Sequence, residues 1–361
     1  MPGAAHHPSA ENDTASRPAI ALVGAGAHGR AHAALIATTD ICRLAAVADP
    51  SQSGRDHAAS LGVPAFADHR ALIDAVRPQA AIVATPNQTH LAVARDFIRA
   101  GIPVLVEKPI ADRLDDAEAM TREATSAGVP LMVGHHRRHN PIIRAARTAI
   151  REGRIGILTA ASVLYTWLKD DAYFDLRWRR ELGGGPVLIN LIHEIDLIRF
   201  VCGEIVGVQA VTSNARRGFA VEDTAAVILQ LAGGALVSIA ISDTTTSPWS
   251  WDLAAGESPA VFPSQAEPVQ THFFAGTEGS LTLPGLVHWH YGARRGWHEP
   301  ILHETLPVVR ANPYEEQLRH LVRVTAGLEA PLSDGADATR TLAATLAVHR
   351  AAASGGMVHL T

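Results

Sequence analysis

The sequence predicts an α/β protein of two domains. A doubly wound parallel sheet comes first, and an α+β domain with an open, largely antiparallel sheet follows. Three observations predict this. Apolar, strand-type Ile20-Ala21-Leu22-Val23 runs into Gly24-Ala25-Gly26-Ala27-His28-Gly29 and then into helix-type Arg30-Ala31-His32-Ala33. From Pro18 to about His136, short apolar runs alternate with longer helical stretches. Beyond residue 152, strand-like runs crowd together, separated by turn pairs such as Gly233-Gly234.

The first stretch has the form Gly-x-Gly-x-x-Gly between a strand and a helix. Gly24 permits a tight turn, Gly26 lets the backbone approach a pyrophosphate, and Gly29 lets helix and strand pack closely. Ala27 and His28 open the helix, whose N–H groups and partial positive charge favour phosphate. The motif alone is weak in a chain with 29 glycines. Its context strengthens it, as does Asp49, twenty residues past Gly29 at the end of the apolar run 44–48. A carboxylate there accepts from the adenosine ribose hydroxyls and repels a 2′-phosphate, so NAD is favoured over NADP.

The chain has 361 residues, room for two cores. A net charge of −5 without a basic run argues against nucleic acid as a partner. No stretch reads as a membrane span or a signal peptide, which favours the cytoplasm. Cys42 and Cys202 stand far apart in apolar surroundings and read as core residues. No Cys/His cluster or His-Glu-x-x-His stretch supports a metal, and no Gly-x-Ser-x-Gly supports a hydrolase. Residues 1–17, with His6 and His7, read as a disordered lead-in. Residues 18–141 form the nucleotide-binding domain, and 142–361 the substrate-binding and oligomerisation domain.

In the first domain the strand runs are 20–23, 44–48, 80–84, 104–106 and 131–133, continuous apolar segments suited to a parallel sheet. Helices at 88–100 and 113–127 stop at Gly101 and Gly128. Ligands of such sheets gather at the carboxyl ends of the strands. Three polar clusters fall there: Thr85-Pro86-Asn87 with His90, Glu107-Lys108-Pro109, and His135-His136-Arg137-Arg138-His139-Asn140. Lys108, at a strand tip before a proline, would stabilise an alkoxide beside the nicotinamide; pairing with Glu107 is its plainer reading. Arg137 or Arg138 could meet a substrate carboxylate, although a solvated basic loop is the plainer reading.

After a linking helix at about 142–152, strands are expected at 158–167, 207–212, 225–231, 236–242, 269–274, 280–283 and 286–290. One apolar helix, 186–201, interrupts them, and helices at about 313–327 and 336–354 close the chain. Helix 186–201 carries Asn190 and His193 on one face, with Asp196 continuing the stripe. His193 is the natural general acid–base, although with 19 histidines in the chain a structural role is the ordinary reading. Residues 165–179 interleave rings and charges. Tyr165, Trp167 and Trp178 offer faces for a polyhydroxylated ring, or anchor a polar loop.

Taken together, these residues resemble the glucose–fructose oxidoreductase/inositol dehydrogenase (Gfo/Idh/MocA) family from about Ala19 onward. The resemblance rests on Gly24-x-Gly26-x-x-Gly29, Thr85-Pro86-Asn87 with His90, Glu107-Lys108-Pro109 and the Gly183–Asp196 helix. Gly276-Thr277-Glu278-Gly279-Ser280 and Asn312-Pro313-Tyr314-Glu315-Glu316-Gln317 add to it. It implies a Rossmann domain, a C-terminal sheet whose open face mediates dimers or tetramers, and NAD(P)-dependent hydride transfer on a sugar, sugar acid, cyclitol or alicyclic diol. Lys108 matches the family's lysine and His193 its catalytic histidine; Asn87, Thr85, His90 and Glu107 fall on the cofactor side. Many members carry an aspartate four residues before the histidine, where this chain has Ile189. Asn190 beside it can position a substrate but cannot act as a base. A redox-neutral lyase or glycosidase with tightly held NAD, and a non-catalytic NAD-dependent sensor, are the alternative readings.

Overall fold

Apolar strands with no polar face need cover on both sides, and the first part of the chain is built of such strands. In the computed structural model β1 (Ala19–Val23), β4 (Ala80–Val83), β5 (Val104–Val106) and β6 (Leu131–Val133) are buried throughout. With β2 (Arg43–Ala48) and the two-residue β3 (Ala65–Phe66) they form a parallel sheet of order β3-β2-β1-β4-β5-β6. That is the dinucleotide-binding order, reversing between β1 and β4. Helices α1 (Ala27–Ala37), α2 (Gln52–Ser60), α3 (His69–Val76), α4 (His90–Arg99) and α5 (Leu114–Ala127) connect the strands. Ser51 caps α2 by accepting from the Gly54 amide, and α5 stops at Gly128 with φ +65°. The short, half-exposed β3 carried no apolar run, so the sequence pattern did not mark it.

The structure describes residues 16–258, 261–263 and 265–360. The expected lead-in therefore falls, up to residue 15 and including His6 and His7, outside the described residues. Contacts divide the chain at His135/His136, and 314–339 return to the first unit. The boundary expected after residue 141 shifts for two reasons. The helix Pro313–Thr325 sends Leu318, Leu321 and Val324 into the core with Ile20, Leu22, Ile82 and Leu105. The turn His136–His139, for its part, bonds to residues of the second unit.

The second unit is a nine-stranded sheet of order β14-β13-β12-β11-β7-β10-β9-β8-β15. In chain order these are β7 (Leu158–Thr166), β8 (Ile205–Ser213), β9 (Thr224–Leu231), β10 (Leu236–Ser242), β11 (His272–Gly276), β12 (Gly279–Leu283), β13 (Val287–Tyr291), β14 (Ile301–Thr305) and β15 (Val358–His359). Only β7 and β10 run parallel; the other neighbours are antiparallel. Alternation along the strands gives one buried face, with Val163, Ile239 and Val227 in register. The opposite face exposes Val211, Ile228, Leu236 and Phe273. Edge strands β14 and β15 went unmarked because one is exposed throughout and the other has two residues. Helices α6 (Pro141–Arg151) and α7 (Ile192–Cys202) pack together. The single helix expected at 186–201 begins instead as a π-turn, Val187–Leu191, before α7.

Candidate functional site: a strand-tip nucleotide cradle and a buried polar chain

Each glycine of the first turn meets a different constraint. Gly24 has φ +93°, and a Cβ there would lie 2.6 Å from the Ala84 carbonyl oxygen. A Cβ on Gly29 would lie 1.9 Å from the Gly24 oxygen, so α1 touches the turn only because it has none. At Gly26 a Cβ would meet nothing within 4 Å; the backbone there borders open space, as a phosphate cradle requires. Gly26 caps α1 without a side-chain acceptor, and no acidic residue stands in the first turn with Ala27 and His28. The α1 amides thus keep their affinity for an anion.

Asp49 extends from the tip of β2. Its Oδ2 accepts from the Ala25 amide at 2.7 Å, and its Oδ1 accepts from the Ser51 amide and hydroxyl at 2.8 and 2.5 Å. Burial opposes its ionisation, but these donors and Arg55 outweigh burial and hold the carboxyl below its usual range. At the tip of β4, Thr85 and Pro86 lead into the 3₁₀ turn Asn87–Thr89. His90 is fully buried, its Nδ1 3.0 Å from the Pro109 oxygen and its Nε2 2.9 Å from the Thr85 oxygen. Burial lowers its pKa despite those carbonyls. His90 therefore lies between two strand-tip turns, and its ring has one N–H to donate to one of the two carbonyls.

Glu107, the next tip, pairs with His32 of α1 at 2.7 Å, a partner nothing in the sequence marked. The Lys108 charge acts on the same carboxylate in the same direction as His32. The other Glu107 oxygen accepts from the Lys108 amide at 3.2 Å. Burial works against the charge, yet His32 holds the carboxyl well below its usual range. Lys108 is half-buried at the same tip, and the Lys108–Pro109 bond is cis.

In the second unit, α7 is buried from Ile192 to Val201 except at His193, which is half-buried. The His193 ring meets the His136 ring edge-on, centroids 5.4 Å apart. Its polar neighbours are committed inward. Asp196 accepts both Nε and Nη2 of Arg138, at 2.8 and 2.6 Å, and the Thr341 hydroxyl at 2.9 Å. Glu194 lies between Arg137 and His272, and burial, which would raise its pKa, loses to the Arg137 charge and the His272 hydrogen bond: it falls to about 2. Arg137 is thereby neither a substrate clamp nor part of a solvated loop. The residue is 2% exposed and its guanidinium spans Glu194 and Asp252, because a buried charge needs its counter-charge inside. Asp196 likewise continues the helix stripe as a structural ion-pair partner.

Asn190, in the π-turn, accepts from Lys169 Nζ at 2.7 Å and donates to Tyr165 Oη at 3.2 Å; Tyr165 donates to Asp252. Tyr165 is 1% exposed, so it offers no face to a ligand, contrary to expectation; its hydroxyl links Asn190 to Asp252. Trp167 is half-buried, edge-on to Tyr165, and Trp178 is 49% exposed beside Arg179. Sequence reasoning missed Lys169. A signal existed: of 31 basic residues only two are lysines, Lys108 and Lys169.

The profile of an oxidoreductase family with an NAD-binding Rossmann fold matches residues 19–135, and that of the GFO/IDH/MocA C-terminal domain matches 143–282. The chain belongs to the Gfo/Idh/MocA oxidoreductase family. It is 32% identical over 282 residues to a 1,5-anhydro-D-fructose reductase of Ensifer adhaerens, covering 76% of this chain and 78% of that one. A D-apiose dehydrogenase of Paraburkholderia graminis is 27% identical across 98% of this chain and 92% of its own. The fold is shared with the WlbA dehydrogenase of Bordetella pertussis in complex with NADH and UDP-GlcNAcA. The TM-score is 0.76 at 24% identity, over 96% of this chain and 99% of that one.

Membership makes the chain an NAD-linked oxidoreductase, and its own residues fit that cofactor. The open approach at Gly26, the acceptor-free start of α1 and the ionised Asp49 at the second strand tip are what a dinucleotide needs. Ile189 is half-buried, and Asn190 beside it turns into the polar chain. No helix among the described residues is long and apolar enough to cross a membrane.

Proposed function

We propose that this Gfo/Idh/MocA member oxidises or reduces a secondary hydroxyl of a sugar, sugar acid, cyclitol or alicyclic diol. The observation that carries the reading is the exposure of His193. Of the polar residues from 190 to 196, Asn190, Glu194 and Asp196 are buried in hydrogen bonds, and His193 alone is half-exposed. In the family context it is the general base, taking the hydroxyl proton, while the Lys108 ammonium stabilises the oxyanion. Bound NAD supplies the acceptor for the carbinol hydrogen. Asp49 holds the adenosine ribose, the amides of Ala27, His28 and Gly29 hold the pyrophosphate, and Thr85 and Asn87 line the approach. His90 and Glu107 serve by fixing the turns around Lys108. Asn190 positions the substrate, and Trp167 and Trp178 supply ring faces.

The substrate class follows from the names of the relatives, a reductase and a dehydrogenase of sugar-type compounds. The apolar open face with Val211, Ile228, Leu236 and Phe273 favours a homodimer or homotetramer built through that sheet. Two unpaired cysteines and a nicotinamide cofactor favour the cytoplasm.

The test is spectroscopic, at the nicotinamide absorbance, with NAD and NADP against sugars, sugar acids, cyclitols and cyclic diols. One class that reduces NAD, faster than NADP, supports the reading. Consumption of a substrate with no net NADH, on protein that keeps its cofactor, would replace it with redox-neutral chemistry.

A further inference from the structure

A chain with 29 arginines uses lysine only twice. Lys108 is at a strand tip. Lys169 follows β7, buried to 7% exposure. Its Nζ lies 2.7 Å from Asn190 Oδ1, 3.5 Å from Asp243 Oδ2 and 4.7 Å from the centre of the Tyr173 ring. Asp243 also accepts from Arg217 at 3.0 Å, so it already has a cation of its own.

The bonds around Asn190 have a fixed direction. An ammonium only donates, which commits Oδ1 to Lys169 and leaves the amide nitrogen to face Tyr165. The Tyr165 hydroxyl accepts that N–H because its own proton goes to Asp252. The chain therefore runs one way, from a cation to a carboxylate. A flipped Asn190 would set N–H against Nζ and oxygen against oxygen. Locked as it is, Asn190 has one N–H beyond the chain. It sits in a π-turn, a distortion frequent at functional sites, three residues before His193.

We propose that Lys169 is a positioning residue of the substrate site, holding Asn190 so that its remaining N–H is offered to a substrate oxygen. This rests on the reading of Asn190 as a substrate-binding residue. It also narrows the ligand: at that point the site takes an acceptor oxygen, from a hydroxyl, carbonyl or carboxylate, and rejects an ammonium.

The groups facing Lys169 are Asp243, Arg217, Arg179 and Tyr173. Burial brings its pKa down to about 8, although Asp243 pulls it up. A deprotonated amine carries a lone pair and no longer commits the amide. Asn190 thus loses its fixed orientation as pH climbs past that value.

The experiment uses the panel substrate and the two-lysine composition together. Lys169→Met should raise KM about tenfold, the worth of one hydrogen bond to a charged group, with NAD affinity unchanged and kcat altered less. Lys169→Arg, also a pure donor, should recover part of the loss and remove the rise in KM above about pH 8. Protein made with isotope-labelled lysine should give two Cε signals by NMR, assigned with Lys169→Met. Asn190→Ala should shift the Lys169 signal and leave that of Lys108 in place. Unchanged KM in Lys169→Met overturns the proposal, as does a Lys169 signal indifferent to Asn190→Ala. Turnover that survives Lys108→Met would sink the functional reading separately, and the NMR signals would still decide whether Lys169 governs Asn190.

Discussion

The strand tips of the first unit and the polar interior of the second hold charge by opposite means. The tips are made of backbone. Gly24 and Gly29 are excluded from having side chains by carbonyl oxygens, His90 is clasped by two carbonyls, and Asp49 collects amides from adjoining turns. The interior is made of side-chain pairs. Arg137 reaches Glu194 across 57 residues of sequence and Arg138 reaches Asp196 across 58. Asn190 is fixed by Lys169 and Tyr165 rather than by its own helix. A backbone cradle tolerates changes of charge but no added atom. A side-chain network tolerates small changes of volume but no lost charge.

The sharpest break in that contrast comes from Arg137→Met. It leaves Glu194 and Asp252 without their guanidinium, and loss of one partner of a buried pair costs about 3–5 kcal/mol. Lys108→Met, at a half-buried tip, should change stability by about 0.5 kcal/mol or less. Denaturant unfolding of the two variants measures both, and equal stability would erase the distinction.

Next in size is Gly29→Ala. Its Cβ would need the space of the Gly24 oxygen, so the strain of overpacking, about 1–3 kcal/mol, falls on the turn proposed to cradle the pyrophosphate. NAD titration should show weaker binding, with the second unit unaffected. Wild-type affinity in this variant would mean that the close contact is not needed.

Acid should then separate the interior from a solvated surface. Glu194 falls from a carboxyl value of 4.5 to about 2 in the folded protein. A depressed carboxyl contributes its stability in full above 4.5, and that contribution drains away as pH drops toward 2. Lys169 acts with the same slope at the other end: lowered from 10.5 to about 8, it makes the fold gain stability as pH rises across that window. Unfolding free energies against pH, with Glu194→Gln and Lys169→Met as controls, check each limb. The smallest effect belongs to Trp178→Ala. At 49% exposure its stability change should stay within about 0.5 kcal/mol, while substrate KM rises if its ring face is used.

The same contrast decides what could be read from the sequence. Backbone devices leave local marks. The order Gly24, Gly26, Gly29, the apolar runs and Asp49 gave the first sheet almost to its boundaries, and the alternating runs marked seven of the nine strands of the second sheet. Side-chain networks leave none, because partners 57 residues apart carry no spacing rule. Arg137 and Tyr165 therefore read as ligand contacts when both are interior members of a hydrogen-bonded chain. Glu107 also bonds His32 of another helix, a partner that no spacing marked. Lys169 was visible only as a matter of composition, in a chain that otherwise spends arginine.

The central proposal is that His193 handles the proton and Lys108 the developing oxyanion. It is tested by steady-state turnover of the panel substrate with NAD in wild type, Lys108→Met and His193→Ala, beside NAD affinity in all three. General acid–base catalysis by a placed side chain contributes about 10²–10⁴-fold. The account predicts losses of that order in both variants with NAD affinity retained. Turnover at the wild-type rate in either variant would contradict it.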